Sequence, residues 1–405
     1  MNLSFLISKR ISHAGKSSFS ATIHKIAIAS IGLGLGIMII SVLIMYGFEQ
    51  TIQNKIISFS GHIQITRYTL GSTFEELPVS KESDFFQTLN ELDYVDHVQG
   101  IGHKVGLFKT DDEVHGIYFK GVDEFFDTTR FSLNMVEGKF FNPDDTLNTL
   151  DIVISRKIAT LLNLKVNDDI LLYFMQNPVR VRRMSINGIY ESGMEEFDEK
   201  MVFGHIAVIQ KLNDWRPSLI GGWEVFIKDF NQLNEAESNL FDITDYDLFV
   251  DKVTDKHIEI FDWLSLISRN VVIFLVLILF VASFNMISIL IILIMERTQM
   301  IGILKAIGAT NRLIQQVFVY NGMLLILKGL LLGNIIGISF GYIQARFRLI
   351  PLDPENYYMN HVPIYWDWIS ILGLNILIFC VVSLVLVVPT MIISRIDPVR
   401  SIRFD

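Results

Sequence analysis

Nine histidines and a run of carboxylates are the residues with which this 405-residue chain could do chemistry of its own. His103 and His115 could meet across a hairpin and share a metal, yet no histidine stands at ligand spacing from Cys or Glu, and HExxH is absent. Glu195, Glu196, Asp198 and Glu199 crowd one acidic turn, which is most simply solvated. No glycine-rich stretch ends in Gly-Lys-Ser/Thr, and no serine occupies a GxSxG turn. The chain therefore reads as non-catalytic, with no metal, cofactor or nucleic acid bound.

The elements that would position a function are apolar. With 51% hydrophobic residues the chain is too greasy for an ordinary soluble protein, and four runs carry the excess: Ile26 to Tyr46, Val271 to Met295, Val317 to Ile343 and Trp368 to Ile393. Each can cross a hydrocarbon layer of roughly 30 Å, which asks for about 20 helical residues. Between the first two, Glu49 to Asn270 holds 37 acids and 21 bases, whereas the rest of the chain is net basic. Lys9, Arg10, Lys16 and Lys25 precede the first run; Arg297, Lys305 and Arg312 lie between the second and third; Arg395, Arg400 and Arg403 follow the fourth. Bases gather in cytoplasmic flanks, so these three stretches belong inside and Glu49 to Asn270 outside, with both termini cytoplasmic. The first run is expected to be an uncleaved anchor. The one cysteine, Cys380, lies in the fourth span, so the exported region has no disulfide.

The expected fold is an α+β membrane protein: four transmembrane helices, with a large mixed α/β periplasmic domain inserted between helices 1 and 2 on stalk helices. Its parts are a cytoplasmic amphipathic lead-in (1–25), helix 1 (26–47), a stalk (48–60), the domain (61–250), a second stalk (251–270), helix 2 (271–295), a cytoplasmic bridge (296–316), helix 3 (317–343), a periplasmic loop (344–367), helix 4 (368–393) and a cytoplasmic tail (394–405). In the bridge, Ile301, Leu304 and Gly308 share one helical face with Ile303 and Ile307 beside them, and Gly308 can close that helix in a left-handed cap. The bridge is then either a lever or an interfacial helix that merely closes a hairpin. Gly32 and Gly36 in the first span, and Gly329, Gly333, Gly337 and Gly341 at four-residue steps in the third, predict close helix packing within the chain or across a dimer. Lys328 beside them should reach a partner or snorkel outward. Apolar stripes continue into both stalks, through Met45, Phe48, Ile52, Ile56 and Phe59 and through Phe261, Leu264 and Ile267.

The segment ERTQMIGILKAIGAT (296–310), the glycine-rich third span and the closing DPVRSIR (397–403) resemble the type VII ABC transporter permeases, a group including FtsX, MacB and the lipoprotein-releasing permeases, and MYGFEQTIQNKIISFSGHIQI (45–65) and INGIYESGMEEFDEKMVF (186–203) resemble the lipoprotein-releasing members most. The likeness extends over nearly the whole chain. It implies that the bridge is a coupling helix docking on a dimeric cytoplasmic ATPase that holds ATP and Mg, through Glu296, Arg297, Met300, Ile301, Leu304, Lys305, Ile307, Gly308, Ala309 and Thr310. It implies a second permease protomer, lipoprotein cargo, and a periplasmic carrier recruited near the turn at Asn177 and Pro178; the apolar stripes of the two stalks are then the expected shelter for that cargo, the alternative being that they bury only against each other. Two alternatives fit the same layout: an FtsX-like transmitter of motion to a periplasmic partner, or MacB-like efflux of amphiphiles.

Overall fold

The computed structural model describes residues 19–68, 76–110, 113–145, 148–391 and 393. Lys9, Arg10, Lys16, most of the amphipathic lead-in and the closing DPVRSIR lie outside the described residues. The chain divides into two compact units. The described residues up to Gln50, Trp263–Pro351 and those from His361 on form the first; Thr51–Asp262 and Leu352–Asn360 form the second.

The first unit is built on most of α1 (Phe19–Ser60) and of α2 (Ile258–Glu296), whose residues 51–60 and 258–262 belong to the second, and on α3 (Thr298–Ala306), α4 (Asn311–Phe347) and α5 (Trp368–Val385). Four candidate membrane spans are present among the described residues. At 1.5 Å per residue the 42 residues of α1 rise about 63 Å, twice the hydrocarbon thickness, so α1 leaves the membrane as an unbroken rod. The second stalk is shorter than its apolar pattern suggests. Asp251 and Lys252 belong to a strand, Val253–Lys256 form one separate turn, and His257 breaks the helix at φ −116°, ψ 46° before α2 begins.

The glycines of the first and third spans face each other within the chain. A Cβ on Gly333 would stand 2.7 Å from Leu35 Cβ and 2.8 Å from the Gly32 carbonyl oxygen; one on Gly337 would stand 2.8 Å from Ile39 Cβ. Gly329 meets Ile31, Gly341 meets Leu43, and from the other side Gly32 meets Leu332 and Gly36 meets Ile336. Residue numbers rise together in these pairs, so α1 and α4 run parallel, backbone against backbone. Lipid supplies no hydrophobic drive between helices, and close approach of small residues supplies the contact instead. Gly333→Leu is expected to lower the thermal midpoint of the purified protein, an overpacking cost of about 1–3 kcal/mol; Gly373→Leu, where a Cβ meets nothing within 4 Å, serves as the silent comparison. A second seam joins α4 to α5: the side-chain amides of Asn334 and Asn375 donate to each other at 2.7 and 3.1 Å. Lys328 is exposed on the outer side of α4.

The second unit carries one ten-stranded mixed sheet: β1 (Ile63–Arg67), β2 (Val79–Ser80, in a separate pair), β3 (Val95–Lys109), β4 (Val114–Val122), β5 (Met135–Gly138), β6 (Asp151–Ser155), β7 (Asp169–Phe174), β8 (Arg180–Tyr190), β9 (Met201–His205), β10 (Leu219–Ile220, pairing β2), β11 (Gly222–Ile227) and β12 (Leu248–Lys252). Its order is β12-β1-β11-β3-β4-β9-β6-β8-β5, with β7 bonded to β3 and β8. Most pairs are antiparallel, while β4–β9 and β6–β8 are parallel; a short helix (Arg156–Leu161) follows β6 and another (Ile206–Leu212) follows β9. Helix 206–212 buries Val208, Ile209 and Leu212 in a core shared with Phe108, Phe119, Ile154 and Leu172. The 15-residue β3 sits at the centre of the sheet.

Candidate functional site: a capped bend and a clamped stalk head

The bend between α2 and α4 is fixed by local bonds. Arg297 leaves helical geometry at φ −102°, ψ 17°. The Thr298 hydroxyl donates back to the carbonyls of Ile294 (3.2 Å) and Met295 (2.7 Å). After Ala306 the helix closes as expected: Gly308 has φ +97°, its N–H donates to Lys305 O, and Ala309 N–H donates to Leu304 O at 2.9 Å, the paired bonds of a Schellman cap. Two residues later Thr310 accepts from Leu313 N–H and starts α4.

Its two faces differ. Ile301 and Gly302 are buried, and Met300, Leu304 and Ala309 pack against the same helical core as Leu293, Ile314, Phe318 and Leu386. The Lys305 ammonium donates to Ile393 O at 2.8 Å. Outward stand Gln299, Ile303, Ala306, Ile307, Gly308 and Thr310, with Ile303 46% and Ile307 79% exposed. Of the coupling residues expected from sequence, Glu296, Ile307, Gly308 and Thr310 are exposed; Ile301 faces inward, and Arg297, Met300, Leu304, Lys305 and Ala309 are half-buried. Gln299, Ile303 and Ala306 complete the outward face and were missing from that set. The i, i+4, i+8 spacing of 299, 303 and 307 carried their signal.

The head of the first stalk lies inside the second unit. Phe59 stacks on Phe197 with centroids 4.6 Å apart and meets Phe131, Tyr190 and Phe203 within 6 Å. Ile52 and Ile56 are fully buried. These three side chains are thus committed to packing within the chain, and an open cargo surface formed by them is not present here. Phe48 is buried edge-on to Trp263, Leu264 is buried, Phe261 stacks on Phe230 at 5.9 Å, and Met45 and Ile267 are half-buried.

Two polar devices hold the stalk head. In the first, the buried Lys120 ammonium donates to the Phe59 carbonyl at the C-terminal end of α1 (2.6 Å) and to Glu224 (2.5 Å). Gln64 and Gln99 donate to the two Glu224 oxygens at 2.9 and 2.7 Å. Burial works to raise the Glu224 carboxyl, but the Lys120 charge and these bonds outweigh it and hold the group below its usual range. A cation at a helix C-terminus also matches the helix dipole. In the second device, Asp198 clasps its own turn: Ser192 N–H, Ser192 O–H and Gly193 N–H donate to its carboxylate at 2.8–2.9 Å. Lys55 on the stalk donates to Ser192 O (2.5 Å) and Tyr358 O (2.7 Å). The acidic turn is therefore not simply solvated, because Asp198 is buried as its clasp.

His103 and His115 do not come together. His103 contacts Glu76 at 2.7 Å and stacks on Tyr118, while His115 bonds Glu199 O. Asn177 and Pro178, joined by a cis bond, form the tip of the β7–β8 hairpin, flanked by exposed Met175 and Val179.

His62, next to the stalk head, accepts from Ile227 N–H at 3.2 Å. Burial, then the nearby Arg130 charge, push its imidazole down to about 4. The unfolded chain takes up this proton near 6.5 and the native one only near 4. Stability is thus intact above 6.5 and falls between those limits, by about 3 kcal/mol in total. His62→Gln should flatten that limb of the domain's urea-midpoint profile; an unchanged profile would refute it.

A family model described as MacB-like periplasmic core domain matches residues 26–240, more than half of the chain. The chain belongs to the FtsX/MacB superfamily of ABC permeases. A second model, the FtsX-like permease C-terminal region, matches 272–398, which takes in the bend and the last three spans. This permease is 24% identical to the lipoprotein-releasing system transmembrane protein LolC of Buchnera aphidicola, over 89% of its own length and 88% of the relative's. It is 23% identical to LolE of Haemophilus influenzae, over 92% of each. The crystal structure of the periplasmic region of MacB from Actinobacillus actinomycetemcomitans aligns with 50% of the permease and 95% of that chain, at 15% identity and a TM-score of 0.37.

Proposed function

We infer that this permease is the membrane half of a transporter that draws lipoproteins from the outer leaflet of the inner membrane and releases them to a periplasmic carrier. A separate cytoplasmic ATPase, holding ATP and Mg, docks on the outward face of the bend, and a second permease protomer completes the complex. Both termini are cytoplasmic in this reading, on the side of the basic flanks. The observation that carries it is the match, over about nine-tenths of both chains, to proteins named for lipoprotein release.

Physical chemistry points the same way. An acyl chain of about 15 methylenes costs on the order of 12 kcal/mol to bring into water, so such cargo must pass between apolar shelters. The stalk stripes are largely filled from within, which moves the shelter down into the membrane. On α2, Ile273, Phe274, Leu277, Phe280, Val281 and Phe284 are exposed at spacings of one, three and four, and Leu33 and Ile37 are exposed on α1. These faces suit a cargo-lined seam between opposed protomers, and the hairpin tip at Met175, Asn177, Pro178 and Val179 suits the carrier.

Photoreactive residues at Leu33, Leu277 and Phe280 should capture lipidated protein in an ATP-hydrolysing complex. No capture at any of the three would remove the transport reading. A second reading draws on the clamped stalk head: a rod locked into a domain by Lys55, Phe59 and Lys120 transmits force whether or not lipid moves. Depletion that leaves lipoprotein sorting unchanged while altering cell-wall hydrolysis would favour that FtsX-like role.

A further inference from the structure

A groove of about 670 Å³ opens on the membrane unit where the outer half of α4 meets the start of α5. It is lined by Ile338, Ser339, Tyr342, Ile343, Trp366 and Trp368. The two tryptophans stack at 5.5 Å, and the segment that carries them is tied to α1 by Tyr365 N–H donating to Leu43 O. Gly47 lets that segment approach, since a Cβ there would stand 2.4 Å from the Pro363 carbonyl oxygen. The groove wall is thus built on backbone contacts and is preformed.

Its composition changes along α4. Ile338, Tyr342 and Arg346 follow at four-residue steps, so one stripe of the helix runs from aliphatic through aromatic to cationic. Tyrosine and tryptophan settle at the head-group level of a bilayer, which places the cation at the depth of lipid phosphates. Arg346 is exposed, as is Arg348 at the left-handed end of the helix, and no ion pair to either is found among the described residues. The carboxylate between the tryptophans is already occupied: Asp367 accepts from Ile369 N–H at 3.0 Å and from the Ser370 hydroxyl at 2.5 Å as the cap of α5.

We propose that this groove binds an anionic phospholipid, with one acyl chain along Ile338, Tyr342 and the tryptophan pair and the phosphate on Arg346. The occupant follows from charge complementarity at the head-group end and from the apolar floor below it. The groove lies beside the glycine seam on α4, about a quarter turn round the helix, where a Cβ on Gly341 would stand 3.1 Å from the Trp366 ring, and the proposal stands independently of which cargo the permease moves.

The test uses the full chain in phosphatidylcholine vesicles, titrated with chain-brominated phosphatidylglycerol or chain-brominated phosphatidylcholine. Quenching is assigned to the groove by subtracting the signal of a Trp366→Phe, Trp368→Phe variant. The anionic lipid should quench at a lower mole fraction than the zwitterionic one. Arg346→Gln should raise that mole fraction about fivefold, the worth of one basic side chain at a charged membrane surface, and Arg346→Lys should restore most of it. Equal quenching by both lipids would mean bulk lipid only and would overturn the proposal. A preference unaffected by Arg346→Gln would overturn the assigned phosphate contact. A circular-dichroism melt of each variant separates either result from misfolding.

Discussion

Glu224→Ala is expected to destabilise the periplasmic domain by about 3–5 kcal/mol, because it strands the fully buried Lys120 ammonium without its counter-charge. Among the described residues Lys120 then keeps only the Phe59 carbonyl as an acceptor, and Gln64 and Gln99 each lose one. Lys120→Met should cost a similar amount for the converse reason. The double variant Lys120→Met, Glu224→Leu should recover much of the loss, since a buried pair replaced by apolar groups of similar size is often near neutral. Chemical denaturation of the purified permease, followed by the domain tryptophans Trp215 and Trp223, measures all three. A single-variant loss under 1 kcal/mol, or no recovery in the double, would show that the pair is not the lock described above. Lys120 joins the Phe59 carbonyl near the end of α1 to β4 and, through Glu224, to β11.

The sequence made the membrane half legible and the polar half of the domain much less so. Gly329, Gly333, Gly337 and Gly341 announce a packing ribbon by their spacing alone, but which helix covers it is a tertiary fact; Leu35 and Ile39 supply the answer. Gly308 was readable because a left-handed cap has a local residue requirement. By contrast β3, the central strand, shows no clean alternation. Gln99, His103 and Lys104 interrupt it, and each is buried against a distant partner: Glu224, Glu76 and Asn213. The stalk stripe was visible as Phe48, Ile52, Ile56 and Phe59, and periodicity says that such a stripe must be covered. It cannot distinguish cargo from the aromatic ring cluster that in fact covers Phe59. Asn334 and Asn375 are too far apart in sequence for any local pattern to link them. The acidic run at 195–199 was misread because one of its members, Asp198, turns inward to its own loop, and nothing in composition marks which one.

The outward face of the bend yields the largest functional effect expected. On the docking face proposed above, Ile303→Asp with Ile307→Asp should weaken ATPase binding by about 4 kcal/mol, close to a thousandfold, because each exposed isoleucine that docking would bury contributes about 2 kcal/mol. The fold should be spared, since neither side chain belongs to the helical core. Ile301→Ala makes the complementary case: it removes a fully buried side chain from the cluster of Leu293, Ile314 and Phe318, and should lower thermal stability by 2–5 kcal/mol while docking affinity changes little. Titrating the purified ATPase against each permease variant in lipid nanodiscs, with a thermal melt alongside, separates the two faces. If Ile301→Ala abolished docking at full stability and the Ile303, Ile307 pair left it intact, the lever would have to be gripped from its other side. That side is already occupied by the chain's own helices, so the bend would then have to swing out of the helical core before the ATPase could engage it.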